Sequence, residues 1–196
     1  MRVELNLDAA AMTPRNPSVF IRVYPWILPF VLAFATSVCA APPLPVLVNQ
    51  EFPGLKELGE GRLRFLAIHV YDSSLWVRGA KFEPAEPFAL EIRYAISIKG
   101  KALTERSLKE MRGLGYSDEA KLRRWEGEMD RVFPDLRPGD RIVGVHVPGK
   151  ETRFYSADRF LGAVEDPEFS RAFFGIWLDE KTSEPKLRAK MLALER

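Results

Sequence analysis

The sequence predicts an α+β domain, an antiparallel sheet with helices laid over one face. Three observations predict it. The folded part of the chain runs in the order strands, two helices, strands, two helices. Apolar residues alternate with period two in the strand stretches and recur at helical spacing in the others. No internal repeat, low-complexity block or composition shift marks a second domain.

The elements follow in order. Residues 41–54 are rich in proline and read as an extended lead-in. Residues 62–71 place Phe65, Ala67, His69 and Tyr71 on one side and Leu66, Ile68 and Val70 on the other. Both sides are largely apolar, which predicts a strand buried on both faces. Leu75, Trp76 and Val77 read as its continuation or its hairpin partner. Residues 88–96 alternate cleanly: Phe88, Leu90, Ile92, Tyr94 and Ile96 face inward, Glu91 and Arg93 outward.

The period then changes. Leu103, Leu108 and Met111 predict a helix, with Arg106 and Glu110 paired at i,i+4 and Gly113 and Gly115 ending it. Ser117 is placed to cap the next helix, whose apolar stripe is Leu122, Trp125, Met129 and Val132. Pro134, Pro138 and Gly139 break it. Strands at about 141–147 and 152–156 join through Pro148-Gly149. Asp166 caps a further helix, with Pro167 in its first turn and Phe169, Phe173, Phe174, Ile176 and Trp177 along it. A last helix begins near Pro185 and carries Leu187, Met191 and Leu194.

The N-terminal segment reads as a signal peptide over 1–40. Arg2, Arg15 and Arg22 precede an apolar run from Trp26 to Ala35, which ends in the small-residue stretch Val38-Cys39-Ala40-Ala41. That is the basic, apolar, small-residue order of an export signal. The run falls short of the roughly 20 apolar residues of a membrane span. A periplasmic or secreted protein without a membrane span after cleavage is the expectation. Cys39 is the single cysteine, so the exported chain would have no disulfide and no thiolate chemistry. The remaining chain of about 155 residues, with the domain set at 55–196, is long enough to bury a real core.

The whole chain carries a formal net charge of +2 at pH 7. That is no footprint for nucleic acid, which shows as a clustered basic excess. No zinc-type spacing, Gly-rich phosphate loop, dinucleotide fingerprint or Ser-His-Asp order is present. His69 and His146 are the only histidines. Both lie in predicted strands, where a histidine either serves structure by hydrogen bonding or faces a ligand. Glu110 either pairs with Arg106 on a wet helix face or stands as a buried carboxylate in a cleft.

The stretch Phe65-Leu66-Ala67-Ile68-His69-Val70-Tyr71 resembles the core strand of the chalcone isomerase-like family. Glu105 to Met111, Trp125 to Pro134, the turn Pro138-Gly139-Asp140, and Phe173 to Leu178 followed by Pro185 and Leu187 resemble its later elements, in order and at fitting spacing, in the manner of its bacterial secreted branch. The resemblance implies an open-faced sandwich: a curved antiparallel sheet with a layer of helices on one face and a ligand cleft between them. The plant enzymes of the family close a flavanone ring, and the developing enolate needs hydrogen-bond donors and a cation. Carried over by position, the family's strand threonine falls on Leu66, its helix tyrosine on Leu103, its asparagine on Glu110 and its late hydroxyl on Ile176. The family's arginine falls near Gly54, in a stretch without arginine.

The resemblance therefore implies an apolar cleft lined by Leu66, Leu103 and Ile176, with Arg106 and Glu110 as isolated charge and His69 as a ligand contact. Three functions follow as expectations. One is a non-catalytic binder of an apolar small molecule such as a fatty acid or haem, with His69 or His146 as the iron ligand if haem is bound. The second is an isomerase or intramolecular lyase with Glu110 as general base. The third is a helper protein that binds a partner and keeps only a vestigial cleft.

Overall fold

The computed structural model describes residues 43–194. The signal-peptide expectation for 1–40 lies outside them. The element order is α1 (Val46–Glu51), β1 (Lys56–Phe65), β2 (Ile68–Val77), β3 (Phe88–Tyr94), α2 (Gly100–Gly113), α3 (Glu119–Val132), β4 (Arg141–Val147), β5 (Glu151–Tyr155), β6 (Phe160–Val164), α4 (Pro167–Leu178) and α5 (Pro185–Met191). The six strands form one antiparallel sheet in chain order, β1 to β6, each hydrogen-bonded to its sequence neighbour.

Helices cover the front of this sheet. Leu75, Phe88, Leu90, Ile92 and Phe154 point forward from the strands to meet Leu108 and Met111 of α2, Leu122, Trp125 and Met129 of α3, and Phe169, Phe173 and Phe174 of α4. This is the period-two to period-3.6 switch expressed as packing. Aromatic rings dominate the contact: Phe173 packs against Phe133, Phe154, Phe169, Phe174 and Trp177. Gly144 on β4 leaves room for them, since a Cβ there would lie 3.3 Å from the Phe174 ring.

Helix ends are held by named partners. The Asp118 carboxylate accepts from the backbone N–H groups of Ala120 and Lys121 and caps α3, so the cap is Asp118 and not the expected Ser117. Asp166 caps α4 as the sequence predicts, accepting from Glu168 at 2.9 Å and Phe169 at 3.2 Å. It also accepts from the Trp125 indole at 2.9 Å, which ties α3 to α4. The start of α2 is fixed from outside: the Gly100 N–H donates to Asp135.

Five sequence expectations are corrected. Residues 62–71 are not one buried strand. The chain reverses at Leu66-Ala67, and Phe65 pairs with Ile68 across a tight turn. The lead-in is not extended throughout: it forms α1, which packs with Leu44 and Leu55 on the back of the sheet against Ala89, Val143, Val145 and Tyr155. Glu91 therefore faces away from the helices yet is 3% exposed, paired with Arg93 at 2.6 Å and Arg141 at 3.3 Å. A sixth strand, β6, adds an edge that the sequence reading did not contain, and the last helix ends at Met191, leaving Leu194 exposed.

Candidate functional site

The β1–β2 hairpin is longer than its neighbour needs. Pairing between β2 and β3 begins at Tyr71, so the hairpin end projects past β3 toward the helices. Its inner side, with the start of α2, the end of α4 and the α4–α5 connection, encloses a cavity of about 300 Å³. That volume stands at the lower edge of the roughly 300–1,000 Å³ of small-molecule sites.

Each wall follows from local structure. On α2, Leu103, Arg106, Ser107 and Glu110 are spaced i, i+3, i+4 and i+7 and so share one face, which fronts the cavity. The hairpin contributes Leu63, Arg64, Phe65, Val70 and Tyr71, β3 contributes Tyr94, and the following segment Ile98. From α4 come Ile176 and Trp177, and from the connection Ser183 and Glu184. A recess of about 20 Å³, with room for about one water, shares Tyr94, Leu103, Ser107 and Trp177 with this cavity and runs toward Phe133 and Phe173.

Polar groups sit at two levels. At the rim, Arg106 pairs with Glu110 at 2.6 Å, and the Ser183 hydroxyl donates to the same carboxylate at 2.8 Å. Glu110 is thus engaged on both oxygens, and a general-base role would require breaking these contacts. Arg64 is exposed and has no ion pair among the described residues. Deeper, the Trp177 indole N–H donates to the Tyr71 hydroxyl at 2.9 Å. The Tyr71 ring meets Tyr94 edge-on with centroids 6.0 Å apart. Burial, partly offset by the Trp177 hydrogen bond, pushes the Tyr71 hydroxyl up to about 12. Burial raises Tyr94 further, and among the described residues its hydroxyl has no hydrogen-bond partner. The Tyr71 proton is likewise uncommitted, because that hydroxyl accepts from Trp177. Two neutral O–H donors are therefore available to an acceptor atom in the cavity.

The structure brings Leu103, Arg106, Glu110 and Ile176 together on this cavity, though 73 positions separate the helical carboxylate of Glu110 from its Ser183 partner. Two expected residues are elsewhere. Leu66 is 82% exposed at the hairpin tip and does not line the cavity. His69 lies outside as well, its Nε2 3.1 Å from Asp72 Oδ1 in an electrostatic contact that falls short of hydrogen-bond geometry. Both displacements have one cause: the turn at Leu66-Ala67 moves the residues around it out of a regular strand.

Sequence reasoning did not single out Tyr71, Tyr94, Ser107, Arg64 and Ser183, so the cavity is less uniformly apolar than expected. The inward alternation of β3 was the one signal that pointed to Tyr94. The haem expectation does not fit these residues. His146 is buried against Phe88 with its Nδ1 2.6 Å from the Ser170 hydroxyl, and burial lowers its pKa. No histidine lines the cavity. Among the described residues no group of three or more His, Cys, Asp or Glu side chains is placed to hold a metal ion.

A six-stranded antiparallel sheet with a helical layer on one face, and a ligand-sized cavity between hairpin and helices, defines the open-faced sandwich class. The chain belongs to the chalcone isomerase-like family, whose model matches residues 55–193. An uncharacterized protein of Haemophilus influenzae (strain Rd) is 28% identical over 142 residues, which span 72% of this chain and 69% of that protein. The crystal structure of a fatty-acid binding protein of Arabidopsis thaliana superposes with a TM-score of 0.57 at 13% identity, covering 77% of this chain and 90% of that one. That likeness shows the shared fold. No helix among the described residues is long and apolar enough to cross a membrane.

Proposed function

We propose that this protein is a non-catalytic binder of an apolar small molecule, exported to the periplasm once residues 1–40 are removed. The observation that carries the binding role is the cavity of about 300 Å³, lined mainly by apolar side chains from four separate stretches of the chain. An apolar pocket with a few convergent polar groups is the common form of a ligand site. Leu63, Val70, Ile98, Leu103 and Ile176 suit a hydrocarbon, while Tyr71 and Tyr94 suit one acceptor oxygen on it. A fatty acid or a similar long, weakly polar lipid has this chemistry. The fatty-acid binding named for the Arabidopsis protein of the same fold supports the choice.

Native mass spectrometry of the protein purified from cells tests the proposal. An adduct that organic extraction releases as a lipid is the expected result. A protein of bare mass that also fails to take up a fluorescent fatty acid would overturn it. Export is tested separately by N-terminal sequencing of the periplasmic fraction, with a start at Ala41 or Pro42 expected and an intact Met1 refuting it.

One observation keeps a second reading in play. Glu110 lies on the cavity wall with its side chain mostly buried. An isomerase or lyase that uses it as general base is the alternative that the activity assay in the Discussion separates.

A further inference from the structure

The end of the β1–β2 hairpin is built against local preference. Leu66 and Ala67 sit at φ 47° and 68°, so both central residues of this two-residue turn are left-handed. Such turns select Asn-Gly or Asp-Gly, because left-handed backbone crowds a side chain. Here they carry Leu and Ala, and the leucine is 82% exposed. Neither the backbone nor the core accounts for an apolar side chain at this position. Phe65 and Ile68 flank it at 66% and 59% exposure. Half of the large exposed apolar side chains among the described residues thus fall within four consecutive positions. A local rule broken with no structural return marks a functional position.

The hairpin tip carries one cation that is unpaired among the described residues. From Gly61 to Val70 the hairpin carries Arg62 and Arg64 and no acidic residue. Arg62 is anchored to Asp72 at 2.6 Å, while Arg64 is free of ion pairs among the described residues. The same few residues border the cavity: Leu63, Arg64, Phe65 and Val70 line it. An apolar wedge, an unpaired guanidinium group and one wall of the cavity share the end of this hairpin.

We propose that this hairpin end docks the protein on an anionic lipid bilayer. Phe65, Leu66 and Ile68 enter the interfacial layer, and Arg64, free of an ion pair among the described residues, meets a lipid phosphate. A surface that pairs apolar side chains with basic ones is the pattern of reversible membrane association. Docking there brings the hairpin wall of the cavity, Leu63, Arg64, Phe65 and Val70, to the membrane surface, which shortens the path of an apolar ligand between bilayer and protein. The inference takes its purpose from the apolar-ligand role of the cavity, but its geometry stands independently.

Co-sedimentation with vesicles tests it. The purified chain without residues 1–40 is mixed with vesicles of phosphatidylcholine alone or of phosphatidylcholine with phosphatidylglycerol. The comparison variant is Leu66→Asn with Ala67→Gly. These residues suit the turn, and neither wild-type side chain lines the cavity. The wild type is expected to sediment with the anionic vesicles, less so at high salt, and the variant at least tenfold more weakly. The proposal is overturned if the wild type stays in solution, if the variant sediments equally well, or if the variant abolishes a concentration-dependent dimer instead, since a second copy would then cover the tip. Uptake of a fluorescent fatty acid in lipid-free buffer is read alongside. Uptake without sedimentation refutes the membrane surface alone, and sedimentation without uptake refutes the ligand role alone.

Discussion

Two tyrosines that meet edge-to-face in the cavity should respond oppositely to loss of a hydroxyl. The Tyr71 hydroxyl accepts the Trp177 indole N–H at 2.9 Å, and Trp177 is 8% exposed. Tyr71→Phe leaves that donor unpaired. A buried unsatisfied donor costs about 1–3 kcal/mol, which for a domain of about 150 residues lowers Tm by roughly 2–12 °C. Tyr94 is 5% exposed, and its hydroxyl has no partner among the described residues. Tyr94→Phe removes a cavity-lining hydroxyl that makes no protein hydrogen bond among the described residues, so stability should stay within about 0.5 kcal/mol of wild type or rise. The pH dependence adds a second check. Burial raises Tyr71 to about 12 in the folded state, against about 10 when unfolded. Its contribution is therefore complete below pH 10 and is lost as pH climbs toward 12, so the gap between wild type and Tyr71→Phe should shrink over that window. Thermal unfolding followed by circular dichroism reads all three quantities. The reasoning fails if Tyr94→Phe loses as much as Tyr71→Phe, or if Tyr71→Phe melts with the wild type at neutral pH. For a ligand with an acceptor oxygen between the rings, each variant should also bind about two- to tenfold more weakly. A pure hydrocarbon should not notice.

Other expectations follow from the same contacts. Asp166→Ala removes the α4 cap and orphans the Trp125 indole, which together cost about 2–4 kcal/mol in denaturant unfolding. Burial of Asp166 opposes its ionisation, but hydrogen bonds from Trp125, Phe169, Arg124 and Glu168 outweigh it and leave the carboxyl below its ordinary value. Its stabilisation is present above about pH 4 and disappears as pH falls through the lower folded value, so wild type and Asp166→Asn should converge in acid. Ile176→Trp should abolish uptake of a fluorescent fatty acid by filling the cavity; a loss of about 1–3 kcal/mol with uptake retained would instead show a packed core at that position. A chalcone assay at neutral pH should give no flavanone above background, and turnover that Glu110→Gln abolishes would favour the enzymatic alternative over the binder.

Much of this architecture is legible in the sequence because its elements are long and cleanly periodic. β3 alternates over seven residues, and α2 to α4 each carry an apolar stripe bounded by a cap or a break. The helical spacing of α2 puts Leu103, Arg106 and Glu110 on one face, and the expectation that this face meets a cleft came from the resemblance to the family. The hairpin could not be read. Its turn lacks every residue that marks one, so Leu66-Ala67 looks like the middle of a strand and carries Leu66 and His69 to the wrong place. β6 is five residues with Gly162 inside it, too short and too interrupted for a pattern. α1 spans six residues without a side-chain cap. The burial of Glu91 was hidden for the same reason, since its cover comes from a segment with no helical signal of its own.

The short helix α1 also sets an order of events. Every pairing within the sheet joins successive strands, and all but β3 with β4, which α2 and α3 separate, are hairpins that can form as soon as both strands exist. The back layer depends on contacts far more distant in sequence. Glu51 is held by Arg153 and Tyr155, partners more than 100 residues downstream. Closing so long a loop is slow compared with local pairing. A chain emerging from its N-terminus therefore carries the α1 segment unanchored until β4 and β5 arrive, and the back of the growing sheet stays open to solvent until then.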